Sequence, residues 1–578
     1  MRNAECGMRN VKPAIAPAVG GGWVLQHVDC TTARVLQQER GPWRSDVCCK
    51  TSAGAQRACC KTSSGKFASA ALWRHALLLC GLVLTGCSVE EPAAVAVVGD
   101  RETNESPVSE TELPVVASRA PDPVAQREDS TAPRDRRPLP ERTFEDLLNS
   151  PDSQAEALAF GGRDFGHPQH DDASLERAGF RKIAGERLNV YTDLPRGDVD
   201  DYPRLFALAI AFWKEYFDLP DDKLRDWRMT VYVIKDRQLA RRQGLIPADL
   251  PAFAHGYQRG FEMWVYDQPS DYYRRHLLLH EGTHGVMNTL LGGAGPPWYM
   301  EGVAELLATH HWDGEKLTMR FNPRDKELVP YWGRVKIVRD DFAANRGMTL
   351  SDVMNYDNRA HQDVAAYAWC WAACMFLDSH PQTQAAFRKM QSQVRLPGAD
   401  FNRRLLEASA DDWKRVAHEQ WFLYVQDMDY GSDPRAAIVE YADGSPLRSE
   451  GTVVEVDSQP GWQSSGIQVE AGKSYALRSA GRYVIAREED NTPWPCEPGG
   501  VTLRYHNGQP LGMLLCSVRR GEPTAGAAPD LSQAVPAGLR TKFIPKFSGT
   551  LYFKVNDSSA ERSDNEGELK VQVKPVSE

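Results

Sequence analysis

The sequence predicts a multidomain protein in which an α+β domain is followed by an all-β sandwich. Its length of 578 residues exceeds what one hydrophobic core normally supports, because domains usually hold about 100–200 residues. Between residues 143 and 431, strand-like segments are followed by helices. From Gly451 onward, short alternating segments are separated by turn residues. Hydrophobic residues make up 42% of the chain and charged residues 25%, which is typical of globular domains.

Residues 1–86 are interpreted as a signal and leader region. An apolar run, ALLLCGLVL, begins at Ala76 and is too short to span a bilayer. The Leu-Thr-Gly-Cys sequence at 84–87 resembles the bacterial lipobox. The resemblance implies that Cys87 is lipidated and that the protein is exported to the cell envelope, in the bacterial periplasm or outer membrane. The alternative is a chance cysteine behind an ordinary signal peptide. The long stretch before the apolar run leads us to expect a natural start near Leu72.

Residues 87–142 are predicted to form a disordered linker. Pro, Glu, Asp, Ser, Thr and Arg dominate this segment, which has no aromatic residues. Such a composition cannot bury enough apolar surface to offset the entropy lost on ordering. The simplest role is a tether between a lipid anchor and a folded domain.

From residue 143 to 431, apolar spacing predicts strands that precede helices. The predicted strands are 188–192, 228–234 and 260–266, and the predicted helices are 202–217, 271–291 and 364–377. The strand 260–266 is expected at a sheet edge. The helix 271–291 is expected to end at the glycines and prolines of 292–297.

The pattern His-Glu-x-x-His occupies residues 280–284 of a predicted helix. Residues four apart lie on one helix face, about 6 Å apart along the axis, so His280 and His284 can bind one metal ion. Glu281 lies about 100° round the helix, where it can contact a water on the metal without being a ligand. Zinc lowers the pKa of such a water to about 7, and the carboxylate accepts its proton as general base. The pattern alone also fits a solvated helix face.

A second segment, WYMEGVAE at 298–305, follows the Gly/Pro break and is predicted to open another helix. A catalytic zinc site needs a third protein ligand and an open fourth position, and Glu301 is the candidate ligand. Glu305 lies one turn further along the same face. It is expected to accept a hydrogen bond from a metal-binding histidine, with His280 as the partner.

HEGTH and WYMEGVAE together resemble the gluzincin class of metallopeptidases, which includes thermolysin-like and aminopeptidase N-like enzymes. The resemblance implies a zincin-like domain at residues 143–431, zinc held by His280, His284 and Glu301, and hydrolysis of peptide bonds by an endopeptidase. The stretch between His284 and Glu301 is shorter than in the aminopeptidases. The difference falls in a Gly/Pro loop, where length varies easily. The aminopeptidase motif is not evident upstream, so that specificity is not carried over.

A donor for the developing oxyanion is also needed, and gluzincins often use a downstream Tyr or His. Tyr367 is the predicted donor, with Tyr356 and His361 as alternatives. Tyr367 lies on a helix rich in Ala and Trp, so a purely structural role remains open. Cys370 and Cys374 on the same helix are predicted to be core residues rather than metal ligands. The pair at 310–311, His-His, is predicted to lie at the surface.

Residues 450–578 are predicted to form a β-sandwich, because short alternating strands recur between turn residues. Cys496 and Cys516 are candidates for a disulfide in an exported protein, although their spacing does not determine the geometry. One loop, 555–567, is rich in Asp and Asn oxygens that suit a hard cation such as calcium. The alternative is an Asx-rich turn without an ion.

The segment from Trp462 onward resembles the calcium-dependent, galactose-binding bacterial lectin family. By that resemblance, Asp557, Asp564 and Asn565 supply side-chain ligands to calcium, and Glu561 supplies a backbone carbonyl. The sugar-contacting His-Pro-x-Gln loop of the family is replaced here by Trp-Pro-Cys-Glu at 494–497. The resemblance implies a carbohydrate as a candidate ligand, and because of this replacement galactose specificity is not carried over.

The sequence thus predicts a zinc-dependent peptidase at the cell envelope that acts on peptide or protein substrates and carries a lectin-like, calcium-binding domain. The alternative is a non-catalytic envelope binding protein on a peptidase-like scaffold. Hydrolysis of a non-peptide amide would use the same residues. The formal net charge of -10 and the lack of a long Lys/Arg block argue against nucleic-acid binding.

Overall fold

The computed structural model describes residues 166–357, 364–521 and 528–577, and all of them belong to one compact unit of the chain. The predicted leader and linker, Cys87 and His361 lie outside these ranges. Helices and strands alternate up to residue 437 (the mixed region), and strands dominate from residue 445 to 577 (the β-rich region). The predicted order of an α+β part followed by a β-rich part is confirmed. Within the described ranges, every helix is too short or too polar to cross a bilayer.

The mixed region contains a sheet and a series of helices. Its α-helices are α1 (Asp172–Arg177), α2 (Tyr202–Tyr216), α3 (Asp221–Leu224), α4 (Arg237–Arg242), α5 (Asp271–Val286), α6 (Pro297–Ala308), α7 (Arg334–Ala343), α8 (Leu350–Met354), α9 (Val364–Ser379), α10 (Gln384–Lys389), α11 (Gly398–Ala408) and α12 (Asp411–Gln426). Its strands are β1 (Arg181–Ile183), β2 (Leu188–Thr192), β3 (Met229–Ile234), β4 (Gly256–Arg259), β5 (Glu262–Tyr266), β6 (His310–Trp312) and β7 (Leu317–Met319).

Five of these strands form a sheet in the order β1-β2-β3-β5-β4. The strands β2, β3 and β5 are parallel, whereas β1 and β4 pair antiparallel with their neighbours. The prediction that 260–266 is an edge strand is therefore wrong, because β4 forms a hairpin with β5 and covers that edge. The sequence of β4, GYQR, has no apolar alternation, which is why the strand was not predicted.

Strand β3 is buried along its whole length, because both faces of the sheet are covered. Val231 and Val233 belong to the large core shared with the helices. Tyr232 and Ile234 point to the opposite face, where Tyr232 stacks between Tyr191 and Trp264. A continuous apolar run is typical of a parallel strand with both faces covered.

Helix α5 begins after Ser270, whose Oγ accepts a hydrogen bond from the Tyr273 N–H at 3.1 Å. The helix predicted over 271–291 is continuous, but its last turn, Met287–Leu291, is π-helical. Gly292, with a φ of 78°, ends it in the left-handed conformation that favours glycine. Pro296 and Pro297 then lead into α6.

Helix α6 lies directly against α9, and the closest approach is at Gly302. A Cβ at Gly302 would lie 2.5 Å from the Cys370 carbonyl oxygen and 2.5 Å from Cys374 Sγ. Both cysteines are buried free thiols, as predicted for core residues.

His310, predicted at the surface, is instead buried, and its ring stacks on Tyr272 with centroids 4.7 Å apart. His311, its neighbour, is exposed because adjacent residues of a strand face opposite sides.

The β-rich region consists of two larger sheets and two hairpins. Its strands are β8 (Ser445–Pro446), β9 (Thr452–Asp457), β10 (Gln463–Val469), β11 (Tyr475–Ala480), β12 (Tyr483–Arg487), β13 (Pro493–Cys496), β14 (Val501–His506), β15 (Gln509–Leu511), β16 (Leu514–Arg519), β17 (Val535–Pro536), β18 (Arg540–Phe543), β19 (Gly549–Val555) and β20 (Glu568–Pro575). The sheets have the orders β17-β16-β19-β10-β8 and β18-β11-β20-β9 and share one hydrophobic core.

Cys496 and Cys516, the candidates for a disulfide, are instead buried free thiols. Cys496 ends the β12–β13 hairpin, and its Sγ donates to the Glu497 carbonyl at 3.2 Å. Cys516 lies in β16, where Val535 and Phe553 are its strand partners. Each thiol is thus part of the apolar core, where cysteine behaves as a small hydrophobic residue.

Replacing Gly302 tests the approach of α6 to α9. We expect Gly302→Ala to lower the free energy of unfolding by about 1–3 kcal/mol, because the added methyl group meets a backbone carbonyl that cannot rotate away. Urea denaturation of the two proteins measures the difference. Gly499→Ala is the control, since a Cβ there meets nothing nearer than Leu539 Cδ1 at 3.5 Å. A Gly302→Ala protein as stable as the parent would contradict the close approach.

Candidate metal centre and oxygen-rich loop

Helices α5 and α6 bring His280, His284 and Glu301 together. The two Nε2 atoms lie 3.0 Å apart. Glu301 Oε2 lies 3.3 Å from Nε2 of His280 and 3.4 Å from Nε2 of His284. All three residues are buried, at 4–8% exposure. One atom from each residue therefore points to a single position between the helices.

The donor set fits a metal ion. Glu301 Oε2 is buried without a hydrogen-bond partner, which is costly for a carboxylate unless a cation is near. Burial raises the pKa of Glu301, but the two imidazoles outweigh it and lower the pKa to about 2. Burial also disfavours a charged His280, but Glu301 and Glu305 outweigh it and raise that pKa to about 10. The cluster thus favours positive charge between its members, and two imidazoles with one carboxylate suit a transition metal such as zinc.

Glu281 lies beside this cluster and under strand β4. Burial raises the pKa of Glu281, while His280 and His284 partly counteract the rise. A Cβ at Gly256 would overlap Glu281 Oε1, so the backbone at the start of β4 lies directly on the carboxylate. A larger residue at position 256 would require the Glu281 carboxylate to move from its present position.

Glu305 is surrounded by three nitrogen-bearing side chains. Its Oε1 lies 3.4 Å from His280 Nδ1, and its Oε2 lies 3.3 Å from His276 Nε2. Arg334 donates to both oxygens, from Nε and Nη2, each at 3.0 Å. His276 and Arg334 were not predicted from the sequence. His276 precedes His280 by one helical turn, a spacing that was available as a signal, whereas nothing local marks Arg334.

Tyr367 lies on α9 next to the cluster, and its ring is 6.0 Å from that of His280 at an angle of 73°. Burial, followed by the carboxylates of Glu301 and Glu281, raises the pKa of Tyr367, so its hydroxyl keeps its proton at neutral pH. The alternative candidate Tyr356 directs its hydroxyl to Met348 Sδ at 2.9 Å.

The loop at residues 556–565, between β19 and β20, holds four side-chain oxygens that are shielded from water yet lack a hydrogen-bond partner. These are Asn556 Oδ1, Asp557 Oδ2, Asp564 Oδ1 and Asn565 Oδ1. Most buried polar atoms in proteins are paired, so four unpaired oxygens in one loop are unusual. Burial raises the pKa of Asp557 to about 6, because the hydrogen bonds from Ser558 and Asn565 and the charge of Arg562 only partly counteract it. Oxygen ligands of this kind fit a hard cation such as calcium.

Glu561 contributes differently from the other predicted calcium residues. Its carboxylate points outward and pairs with Arg504 at 2.9 Å. Its carbonyl oxygen accepts a hydrogen bond from the Asp564 N–H at 3.2 Å and retains a second lone pair. Asn556 was not predicted. Its Nδ2 donates to three carbonyls of the β14–β15 hairpin, of which His506 is nearest at 2.9 Å.

The 556–565 loop also bonds to the mixed region. Ser559 Oγ donates to the Asp427 carbonyl at 2.7 Å, and Arg562 Nη2 donates to the Ala436 carbonyl at 2.6 Å. A cleft of about 1510 Å³ lies beside this contact, and residues of both regions line it, including Tyr430 and Arg504. The loop is thus part of the junction between the two regions.

No protein-family model matches the chain, and no curated protein matches it. Among solved structures, the EclA N-terminal domain, a PllA-like lectin, is 19% identical and aligns over 22% of this chain and 95% of its own, with a TM-score of 0.16. The IMPa metallopeptidase from Pseudomonas aeruginosa is 11% identical and aligns over 62% of this chain, with a TM-score of 0.13. A structure of IMPa with an O-glycopeptide is 12% identical over 44% of this chain, with a TM-score of 0.12.

This chain spans only 38% and 25% of the length of those two IMPa structures. All of these TM-scores are well below the values obtained between proteins that share a fold. The function of this protein is therefore inferred from its own residues.

Proposed function

We propose that this protein is a zinc-dependent peptidase of the gluzincin type, an endopeptidase with a zincin-like catalytic domain at residues 143–431. The observation that carries the proposal is the convergence of His280, His284 and Glu301, whose ligand atoms lie within 4.8 Å of one another. Three protein ligands from two helices are what a catalytic zinc site requires. Glu281, buried beside them, supplies the proton acceptor.

Zinc held there would act as a Lewis acid and lower the pKa of a water molecule. Glu281 accepts a proton from the attacking water and passes it to the leaving amine. Its raised pKa suits both roles, because general acid–base groups work best when their pKa is near the working pH. Tyr367 keeps its hydroxyl proton and donates a hydrogen bond to the oxyanion of the substrate.

We also propose that residues 450–578 form a lectin-like β-sandwich that binds calcium through Asp557, Glu561, Asp564 and Asn565. The four unpaired oxygens of the 556–565 loop support this assignment. Carbohydrate is the proposed ligand of this domain. The protein is proposed to be held at the bacterial cell envelope through lipidated Cys87, with residues 87–142 as the tether.

Two variants separate metal binding from catalysis. We expect Glu281→Gln to keep zinc and to lose about 10²–10⁴-fold in activity, because an amide cannot accept the proton. We expect Glu301→Ala to lose zinc, because one ligand is removed. The zinc content is measured by mass spectrometry of the purified protein. The peptidase activity is measured with a library of internally quenched peptides. Glu315→Gln, at an exposed site, is the control.

The outcomes distinguish the candidate functions. A parent protein that holds no zinc after reconstitution would contradict the enzyme proposal and favour a non-catalytic envelope binding protein. A parent that holds zinc but cleaves no peptide would favour another amide as substrate.

Tyr367→Phe tests the oxyanion donor. We expect kcat to fall by about 10²–10³-fold with unchanged zinc content, because one donor to the transition state is lost. Steady-state kinetics on a cleaved peptide measure the change. Tyr356→Phe is the matched control, since that hydroxyl contacts Met348. Equal kcat values for the Tyr367→Phe variant and the parent would exclude this role.

Calcium is expected to stabilise the protein, because it would pair the buried oxygens of the 556–565 loop. At a free concentration about 100-fold above Kd, the gain is about 2.7 kcal/mol. Calorimetric titration with Ca²⁺, at constant zinc, measures binding. Asp564→Asn should weaken binding, whereas Glu455→Gln, an exposed acid of β9 paired with Lys570, should not. A parent that shows no heat of binding and no stabilisation would indicate an ion-free Asx-rich turn.

A further inference from the structure

We infer that Arg334 is the positioning residue of the metal centre, acting through Glu305 on the imidazole of His280. This inference rests on the proposed zinc site and goes beyond it, because Arg334 bonds to Glu305 and not to a proposed metal ligand. Arg334 begins α7, which follows α6 along the chain and is not part of the two-helix site.

The contact between Arg334 and Glu305 is a buried bidentate ion pair, called here the Arg334 fork. Nε and Nη2 of Arg334 each donate to a different oxygen of Glu305 at 3.0 Å, and Nη1 donates to the Trp332 carbonyl at 3.0 Å. Arg334 is 4% exposed and Glu305 is 2% exposed. Two parallel hydrogen bonds allow one orientation of a carboxylate, so the plane of Glu305 is determined by Arg334.

That orientation places Glu305 Oε1 3.4 Å from His280 Nδ1. A metal ion binds the unprotonated ring nitrogen, so the proton of a metal-binding His280 must lie on Nδ1 and face Glu305. Nε2 then points to Glu301 and His284. Loss of the Arg334 fork frees the Glu305 carboxylate to rotate away, and Nδ1 of His280 loses the negative charge that lies 3.4 Å from it.

Charge balance supports the same role. Glu281, Glu301 and Glu305 are all buried within the site, and burying unpaired carboxylates is strongly unfavourable. A divalent cation and the Arg334 guanidinium together compensate these three carboxylates. The metal ion alone does not.

His276, His280 and Glu305 form a second group in which a metal ion is geometrically conceivable. The Arg334 fork already engages both Glu305 oxygens, and a second metal ion would lie against the guanidinium charge. Arg334 therefore takes the place of a second cation. The guanidinium carbon also lies 5.7 Å from the Tyr367 ring centroid, so Arg334 contacts both Glu305 and the proposed oxyanion donor.

The test is the zinc dissociation constant of the full chain, measured by competition with a chromophoric chelator. We expect Arg334→Met to bind zinc about 10–100-fold more weakly than the parent, the usual effect of losing a partner of a metal-binding histidine. Arg334→Lys keeps the charge but not the fork, so we expect a folded protein with intermediate affinity. In the cobalt-substituted proteins, the visible absorption bands should shift for Arg334→Lys.

Arg519→Met is the matched control. Arg519 pairs with buried Glu419 at 2.9 Å, away from the metal centre, so its loss destabilises the fold without changing zinc affinity or the cobalt spectrum. Parent-like zinc affinity and cobalt bands in Arg334→Lys would overturn the positioning role, even if Arg334→Met fails to fold. Absence of zinc binding in the parent would instead overturn the proposed function, and this inference with it.

Discussion

The packing of α6 between α5 and α9 is the contact on which the candidate metal centre depends. Gly302 allows α6 to meet the backbone of α9. Glu301, the preceding residue, reaches His280 and His284 on α5. Glu301 and Glu305 are one helical turn apart on α6, so the placement of this helix sets both the three-residue cluster and the contacts of Glu305. A shift of α6 would therefore disturb both sets of contacts together.

The candidate metal centre and the 556–565 loop share one physical feature. Both bury oxygen atoms for which the chain supplies no hydrogen-bond donor, Glu301 Oε2 in one case and four side-chain oxygens in the other. Folded proteins normally pair such atoms, because an unpaired buried acceptor is costly. The chemistry of the donors separates the two sites. Imidazole with carboxylate suits zinc, and carboxylate with amide oxygen suits calcium.

The two regions are joined by buried polar contacts as well as by the chain. Arg519 pairs with Glu419 at 2.9 Å, and Lys554 lies 3.5 Å from Asp427, with all four side chains largely buried. Ser559 of the 556–565 loop donates to the same residue, Asp427. The loop thus has a direct physical connection to the region that carries the candidate metal centre. A change in the geometry of the loop alters hydrogen bonds made by the end of α12.

The sequence by itself determined the features that depend on local spacing. The parallel strands and the helices α2, α5 and α9 follow from apolar periodicity, and the His280–His284 spacing places both rings on one helix face. The tertiary structure alone decided which distant residues meet. No local sequence pattern predicts the ion pair of Arg334 with Glu305, the position of β4 at the sheet edge or the burial of His310. Each of them depends on packing between elements far apart in the chain.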